Sequence, residues 1–162
     1  MAKGMERLRF MIGTWDVAAH IMGEAGDWLG IPVPKTTTIL PMLNGVCHRE
    51  EMPVAVYGVT TRFFFSWSYD QYRRIYRMIS CDDSAGLMGV MEGDFLAGSD
   101  TVVISDLNTG TAVLDSAGQP SLFRRLSSSK TSEDGFTDIF SESYDGGITW
   151  QPVFLAIHTR TL

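Results

Sequence analysis

The sequence predicts an all-β protein whose strands close into a single antiparallel up-and-down barrel of about eight to ten strands. β-prone runs recur about every twelve residues, and each connection carries Gly, Asp, Asn or Pro, the residues that turns favour. No apolar period of the helical kind lasts longer than two turns. The first run contains Gly13-Thr14-Trp15, where a strand places Gly13 and Trp15 on one face and the glycine leaves room beside the indole.

The composition predicts one domain, 1–162, large enough to bury a core. Its 13 Lys and Arg against 19 Asp and Glu give a formal charge of −6, which opposes binding to nucleic acid or to an anionic membrane surface. Cys47 and Cys81 are too few for a disulfide scaffold, and neither a cleavable signal nor an apolar run of membrane-spanning length is visible. We therefore expect a reduced, cytoplasmic protein without nucleic-acid or membrane partners.

The first elements predicted are a short helical turn over 2–9 and a strand over 12–23. The strand alternates, and we expect the face that carries Trp15 to point inward and seal the closed end of the barrel. A loop with two prolines follows over Gly26–Pro34. It could lie across the open mouth as a lid anchored by Trp28, or it could be a connector whose tryptophan packs on the outside.

The next strands predicted are 35–43, 46–54, 61–69 and 73–80. Asn44-Gly45 joins the first two as a hairpin turn, because both residues tolerate positive φ. The third of these strands is aromatic on one face, with the wall that a barrel interior needs: Phe63, Phe65, Trp67 and Tyr69. Further strands are predicted over 87–96, 101–106 with an extension at 111–114, 122–129, 136–144 and 150–159.

At this point the chain resembles a lipocalin-like (calycin) barrel, and it is similar to a family of bacterial proteins of unknown function and about this size. The similarity rests on Leu8 through Trp15, which follow a Leu-x-x-Leu-x-Gly-x-Trp pattern with Met11 and Ile12 as variants. Three further short motifs complete it: Leu43-Asn44-Gly45, Tyr69-Asp70, and Asp145-Gly146-Gly147 before a last strand that ends in Arg160.

The resemblance implies that Arg160 packs its guanidinium on the Trp15 indole, an interaction worth roughly 0.5–2 kcal/mol; otherwise Arg160 is a solvated terminal charge. With Arg160 inward, the two-residue period places His158, Ala156 and Phe154 on the inner face. The outer face of that strand is then apolar, and the N-terminal turn or the partner in a homodimer could cover it.

His158 is the titratable residue of most interest, as a general base or as a ligand to metal or haem. Nitrobindin-type haem barrels, a distant similarity, also carry their proximal histidine on the last strand, but their Pro- and Tyr-rich segment is not evident here. A histidine bonded to a neighbouring Tyr or Ser is the simpler interpretation. His20, His48 and His158 are far apart and no Cys-x-x-Cys exists, so we expect no metal site and no cofactor, with haem as the alternative.

Carboxylates within strands are the other candidates for chemistry. Asp138 and Glu142 share a face with Phe140, and burial there would raise their pKa; pairing with Arg124, Arg125 or Arg77 is the commoner outcome. No nucleophile elbow or phosphate-binding loop is present.

These patterns leave three hypotheses open, and the first is a barrel that binds a hydrophobic or amphipathic small molecule. Its ligand-binding residues would be Trp15, Trp28, Phe63, Phe65, Trp67, Tyr76, Met78, Met91, Phe140 and Arg160. The second is a cofactor-independent cyclase or isomerase of a polyketide- or terpenoid-like biosynthetic intermediate, with His158, Glu142 and Tyr69 as catalytic residues. The third is a haem barrel that uses His158.

Overall fold

The computed structural model describes residues 4–33, 36–56 and 59–161, apart from the side chains of Ala55 and Val56. Ten strands form a closed antiparallel barrel, which confirms the predicted fold class. The strands are β1 (Gly13–Met22), β2 (Trp28–Ile31), β3 (Thr36–Met42), β4 (Cys47–Val56), β5 (Val59–Asp70), β6 (Ile75–Asp82), β7 (Met88–Phe95), β8 (Thr101–Ser105), β9 (Val113–Leu114), β10 (Pro120–Ser132), β11 (Gly135–Ser143) and β12 (Gln151–Arg160).

The ring of the barrel follows chain order apart from two short strands that lie outside it. Its members pair in the order β1, β3, β4, β5, β6, β7, β8, β10, β11 and β12, and β12 pairs with β1 to close the ring. β2 pairs with the second half of β1, and β9 pairs with the start of β10. The predicted hairpin at Asn44-Gly45 is confirmed: Asn44 has φ 59° and Gly45 φ 81°, and β3 turns there into β4.

One end of the barrel is sealed by a short helix and the indole of Trp15. The predicted short helical turn at the N-terminus is confirmed: it is a 3-10 helix over Met5–Met11, later than the predicted 2–9, and it buries Met5, Leu8 and Met11. Trp15 is buried, and its Nε1 donates to the carbonyl of Met11 at 2.8 Å. We call this end the floor. The prediction that the Trp15 face points inward is confirmed.

Arg160 lies at the floor, against Trp15, as the resemblance implied. Its guanidinium is 4.2 Å from the centre of the indole, and it also donates to the carbonyl of Ile12 at 3.3 Å. Gly13 has φ +147°, and a Cβ at that position would collide with Arg160 Nη1. The glycine of the Gly-x-Trp pattern is therefore required by its backbone conformation and by the guanidinium beside it.

The register between β1 and β12 decides which side chains face inward. Trp15 is opposite Arg160, Val17 opposite His158, and Ala19 opposite Ala156. Because residues directly opposite each other share a face, His158 and Ala156 point into the barrel, as predicted. The outer face of β12 is apolar, and its Ile157 is 38% exposed.

The loop predicted over 26–34 is wrong for Trp28–Ile31, which form β2. A turn closed by the Gly23 amide and the Asp27 carbonyl, at 2.8 Å, folds β2 back along β1. The glycines and prolines around this segment predict a loop, so the sequence did not reveal this short strand, which pairs with β1 alone. Trp28 is half-buried on this hairpin and does not line the barrel cavity described below. Pro34, the end of the predicted loop, lies outside the described residues.

Candidate functional site: a cavity inside the barrel

A cavity of about 280 Å³ lies inside the barrel above the floor. Five aromatic rings form much of its wall, from Phe63, Phe65, Trp67, Phe140 and Phe154. Aliphatic and thioether side chains complete the apolar part, from Met52, Val54, Met78, Met91, Leu126 and Ala156. The polar part comes from Glu50, Ser80, Arg124, Asp138 and His158. The cavity is thus mostly apolar, with ionisable groups at a few points, which is the usual make-up of a small-molecule site.

Strand alternation accounts for most of this lining. On β5, Phe63, Phe65 and Trp67 occupy every second position. On β6, Ser80 and Met78, which are opposite Phe65 and Trp67, also line the cavity, whereas Asp82, which is opposite Phe63, does not. On the other side of β5 the same three rings are opposite Met52, Glu50 and His48 of β4. The register of two hairpins therefore carries two polar residues, Glu50 and His48, onto the inner face beside aromatic rings.

Arg124 lines the cavity but its charge is already neutralised. Its Nε lies 3.0 Å from Oδ2 of Asp106, which is fully buried, and its backbone amide donates to Oδ1 of the same carboxylate at 2.7 Å. Its Nη2 donates to the carbonyl of Thr111 at 3.3 Å. A Cβ at Gly89 would lie 2.9 Å from this nitrogen, so the glycine leaves space for the guanidinium.

Glu50 and Asp138 are the two carboxyl groups of the cavity. Glu50 accepts a hydrogen bond from Thr37 Oγ1 at 2.8 Å, and burial raises its pKa. The pKa of Asp138 is raised to about 7, mainly by burial and to a smaller extent by the nearby Glu50 carboxyl. Ser128 lies opposite Asp138 on β10, and its hydroxyl lowers the pKa of Asp138, against the effect of burial. Neither Ser128 Oγ nor Asp138 Oδ1 makes a hydrogen bond of ordinary geometry among the described residues.

Two buried histidines lie at and below the base of the cavity. His158 stacks on Phe136 with a ring separation of 4.0 Å, and Phe136 meets Trp15 edge-on at 4.9 Å, so a column of rings rises from the floor to the cavity. Burial lowers the pKa of His158 to about 4, against a smaller opposing effect of a backbone hydrogen bond with Phe136. His48 is fully buried and its pKa is also lowered to about 4 by burial. Both imidazoles are therefore neutral at pH 7.

The structure brings together about half of the residues predicted to form the site. Seven line the cavity: Phe63, Phe65, Trp67, Met78, Met91, Phe140 and His158. Four lie at the floor instead, where Trp15 packs under Arg160 and Tyr69 packs on Tyr76 at 4.8 Å. Trp28 is on β2, and Glu142 does not line the cavity: it accepts a hydrogen bond from Tyr144 at 2.7 Å.

The sequence analysis missed Glu50 and Arg124 as cavity residues, and it weighed Asp138 without choosing it. The expected pairing of Asp138 with an arginine does not occur among the described residues, because each candidate arginine is engaged elsewhere. Arg124 pairs with Asp106, Arg77 with Glu92 at 2.8 Å, and Arg125 lies 4.6 Å over the ring of Trp150. The signal that could have identified Glu50 is its two-residue spacing from Met52 and Val54 on the same strand.

Neither a metal-binding group of side chains nor a membrane-spanning helix is found in the residues that the structure describes. Within those ranges, His, Cys, Asp and Glu side chains form no group of three or more that could hold a metal ion. No helix in the same part of the chain has the length and apolar character needed to cross a bilayer.

Comparisons with known proteins add little to this description. No family model and no curated protein matches the sequence. Solved structures that match include one described as "Structure of EF1p2_mFAP2b bound to DFHBI", which is 9% identical over 97% of this chain and 98% of that chain, with a TM-score of 0.47. The assignment of the barrel therefore rests on the strand pairing described above.

Proposed function

We propose that this protein binds a hydrophobic or amphipathic small molecule inside its barrel. The observation that carries the proposal is the cavity of about 280 Å³ with its aromatic wall and few polar groups. Small-molecule pockets usually measure about 300–1,000 Å³, so the guest is smaller than most drug-sized ligands. The Trp15–Arg160 stack at the floor also supports placing the barrel among lipocalin-like proteins.

A pair of phenylalanine substitutions on β12 tests this proposal. Ala156 is buried and lines the cavity, whereas its neighbour Ile157 points outside. We expect the neutral fluorescent probe N-phenyl-1-naphthylamine to bind the wild type, to bind Ala156→Phe at least tenfold more weakly because the new ring fills the cavity, and to bind Ile157→Phe as it binds the wild type. Near-UV circular dichroism checks that both variants fold. Equal probe affinity in all three proteins would place binding outside the barrel and contradict the proposal.

The carboxyl group of Asp138 favours a second candidate, a cofactor-independent isomerase or cyclase. Its raised pKa, about 7, is near the pH at which a general acid or base works best. The predicted set of His158, Glu142 and Tyr69 gives less support, because only His158 lines the cavity. Incubating the protein with a metabolite extract of its host, with Asp138→Asn in parallel, tests this candidate. A compound of unchanged mass and new retention time that appears with the wild type alone would support it.

Haem, the third hypothesis, fits the residues poorly. The ring of His158 lies face to face on Phe136. The volume of the cavity is below the range that is usual for pockets of drug-sized ligands, and a porphyrin is a large planar ligand. A Soret band after incubation with haem that disappears in His158→Ala would reverse this judgement.

A further inference from the structure

The cavity has two carboxyl groups that no unpaired cation in its lining balances. Glu50 and Asp138 both line it, and of the basic side chains in its lining, Arg124 is committed to Asp106 at 3.0 Å. The only other basic group there is the imidazole of His158, which is neutral at pH 7. Among the described residues, the cavity thus offers a ligand two carboxyl groups and no cation that lacks a carboxylate partner.

Asp138 shows that the imbalance is not resolved within the protein. Its Oδ1 is buried and makes no hydrogen bond of ordinary geometry among the described residues, although the Ser128 hydroxyl opposite it is close enough to lower its pKa. A buried polar atom without a partner costs free energy, and such atoms are rare in folded proteins, so each one requires an explanation. An exposed acidic cluster would be solvated, whereas the Asp138 side chain lines a largely apolar cavity.

The aromatic wall has the same electrostatic preference as the carboxyl groups. Phe65 is opposite Glu50 on the neighbouring strand, and Phe140 lies two residues from Asp138 on the same face of β11. The faces of aromatic rings attract cations, and the attraction increases when the cation is removed from water. A cation near either carboxyl group would therefore also be close to an aromatic side chain.

We propose that the guest is an amphipathic amine, bound with its protonated nitrogen between Glu50 and Asp138 and its apolar part against the aromatic wall. This inference rests on the proposed function, since it names the chemical class of the molecule held in the same cavity. The ammonium donates hydrogen bonds to the Asp138 carboxylate and to the oxygen of Glu50 that Thr37 leaves free.

The proposal implies that binding depends on pH. A bound ammonium stabilises the charged form of both carboxyl groups, so binding releases the proton that Asp138 holds near neutral pH. Affinity for the amine should therefore rise between pH 6 and pH 8, while the ammonium, like that of lysine, stays protonated. His158, which also faces the cavity, is already neutral throughout this range, and Arg124 is paired with Asp106, whereas Glu50, whose pKa burial also raises, can release a proton together with Asp138.

Three probes of similar size and different charge test the proposal: 2-phenylethylamine, 2-phenylethanol and phenylacetate. Isothermal titration calorimetry at pH 7.5 should give the amine at least tenfold higher affinity than the alcohol, with phenylacetate weakest. Asp138→Asn and Glu50→Gln should each remove most of the preference for the amine while keeping affinity for the alcohol. Asp16→Asn, on the exposed face of β1, should keep the wild-type order. Titrations of the amine in buffers of different ionisation enthalpy should show proton release.

Each other outcome counts against the inference in a distinct way. Equal affinity for amine and alcohol, or a reversed order, overturns the amine but leaves a neutral or acidic guest in the same cavity. An amine preference that survives both Asp138→Asn and Glu50→Gln overturns the assigned position of the nitrogen. If N-phenyl-1-naphthylamine binds but none of the three phenyl probes does, the inference that the guest is an amine is wrong, while the proposed function stands. If that neutral probe also fails to bind, the proposed function itself is wrong.

Discussion

The two ends of the barrel differ in how their buried polar atoms are satisfied. At the floor, Trp15 donates to the Met11 carbonyl at 2.8 Å, and Tyr76 donates to the Gly4 carbonyl at 2.7 Å. In the cavity half, Asp138 Oδ1 and His158 Nδ1 make no hydrogen bond of ordinary geometry among the described residues, and near the base of the cavity neither nitrogen of His48 makes one. The floor is also packed by Met5, Leu8 and Met11, whereas the other half encloses about 280 Å³.

This difference indicates a division of labour along the barrel axis. Buried groups without partners destabilise a fold and are typical of functional sites, where a bound molecule can supply the missing interactions. Close packing with satisfied hydrogen bonds stabilises the fold and needs no ligand. Substitutions at the floor should therefore lower stability, whereas removing charge from the cavity should raise it.

The largest loss is expected for Trp15→Ala. Removing a fully buried indole from the floor should lower the free energy of unfolding by about 3–5 kcal/mol. Trp28→Ala, at a half-buried indole on β2, is the matched control and should cost much less. Urea unfolding measures both, and equal losses would contradict the role assigned to the floor.

Asp138→Asn, in contrast, is expected to increase the free energy of unfolding near neutral pH. The pKa of Asp138 is raised from 3.8 to about 7, so between these pH values the folded protein holds a proton that the unfolded chain has released. The wild type therefore loses stability as pH rises through this window, by at most about 4 kcal/mol. The variant lacks this loss, and its stability relative to the wild type should increase from pH 4 to pH 7.5.

The same comparison removes the contribution of the histidines. The pKa values of His48 and His158 are lowered from 6.5 to about 4, so both residues make the protein more stable as pH rises through that interval. This contribution is present in both proteins and cancels in their difference. Asp16→Asn is the control, and a pH-independent difference for Asp138→Asn would show that this carboxyl titrates normally.

A smaller loss is expected for Gly13→Ala. The backbone at φ +147° is strained for a residue with a side chain, which costs about 2 kcal/mol, and the added methyl group would also press on Arg160. When Arg160 is replaced by Met, the cost of the contact between the new methyl group and the guanidinium should shrink, while the cost of the backbone strain should remain. Urea unfolding of the wild type, the two single variants and the double variant measures the coupling between Gly13 and Arg160. If the losses of stability are additive, the contact with the guanidinium does not contribute to the requirement for glycine.

The smallest effect is expected for Tyr76→Phe. The substitution removes the hydrogen bond to the Gly4 carbonyl and should cost about 1 kcal/mol. Thermal unfolding is sensitive enough to detect such a change. A stability equal to that of the wild type would mean that the bond does not help to hold the helix on the floor.

The fold could be predicted because local signals agreed with the tertiary structure. Asn44-Gly45 adopts the positive φ values that its hairpin requires, and the aromatic alternation of Phe63, Phe65 and Trp67 corresponds to an inward face. The Trp15–Arg160 stack followed from the resemblance rather than from the pattern. β2 could not be predicted, because four residues between glycines and prolines are too few to show the two-residue alternation of a strand.

The polar half of the site could not be predicted for a different reason. Hydrophobic alternation assigns charged residues to the outside, so a strand whose inner face carries His48, Glu50 and Met52 gives no clear period. The partners of Asp138 depend on which arginines are already engaged, and that is decided by strand register across the barrel.

The pairing of β1 with β12 has a consequence for folding kinetics. Arg160 bonds to Ile12, 148 positions away, and the ring is complete only when these strands meet. Folds dominated by such distant contacts form slowly, because the chain entropy lost in closing the loop comes before the contacts that compensate for it. Until closure, β1 and β12 are open edges that can pair with another chain, so aggregation during refolding should depend on protein concentration.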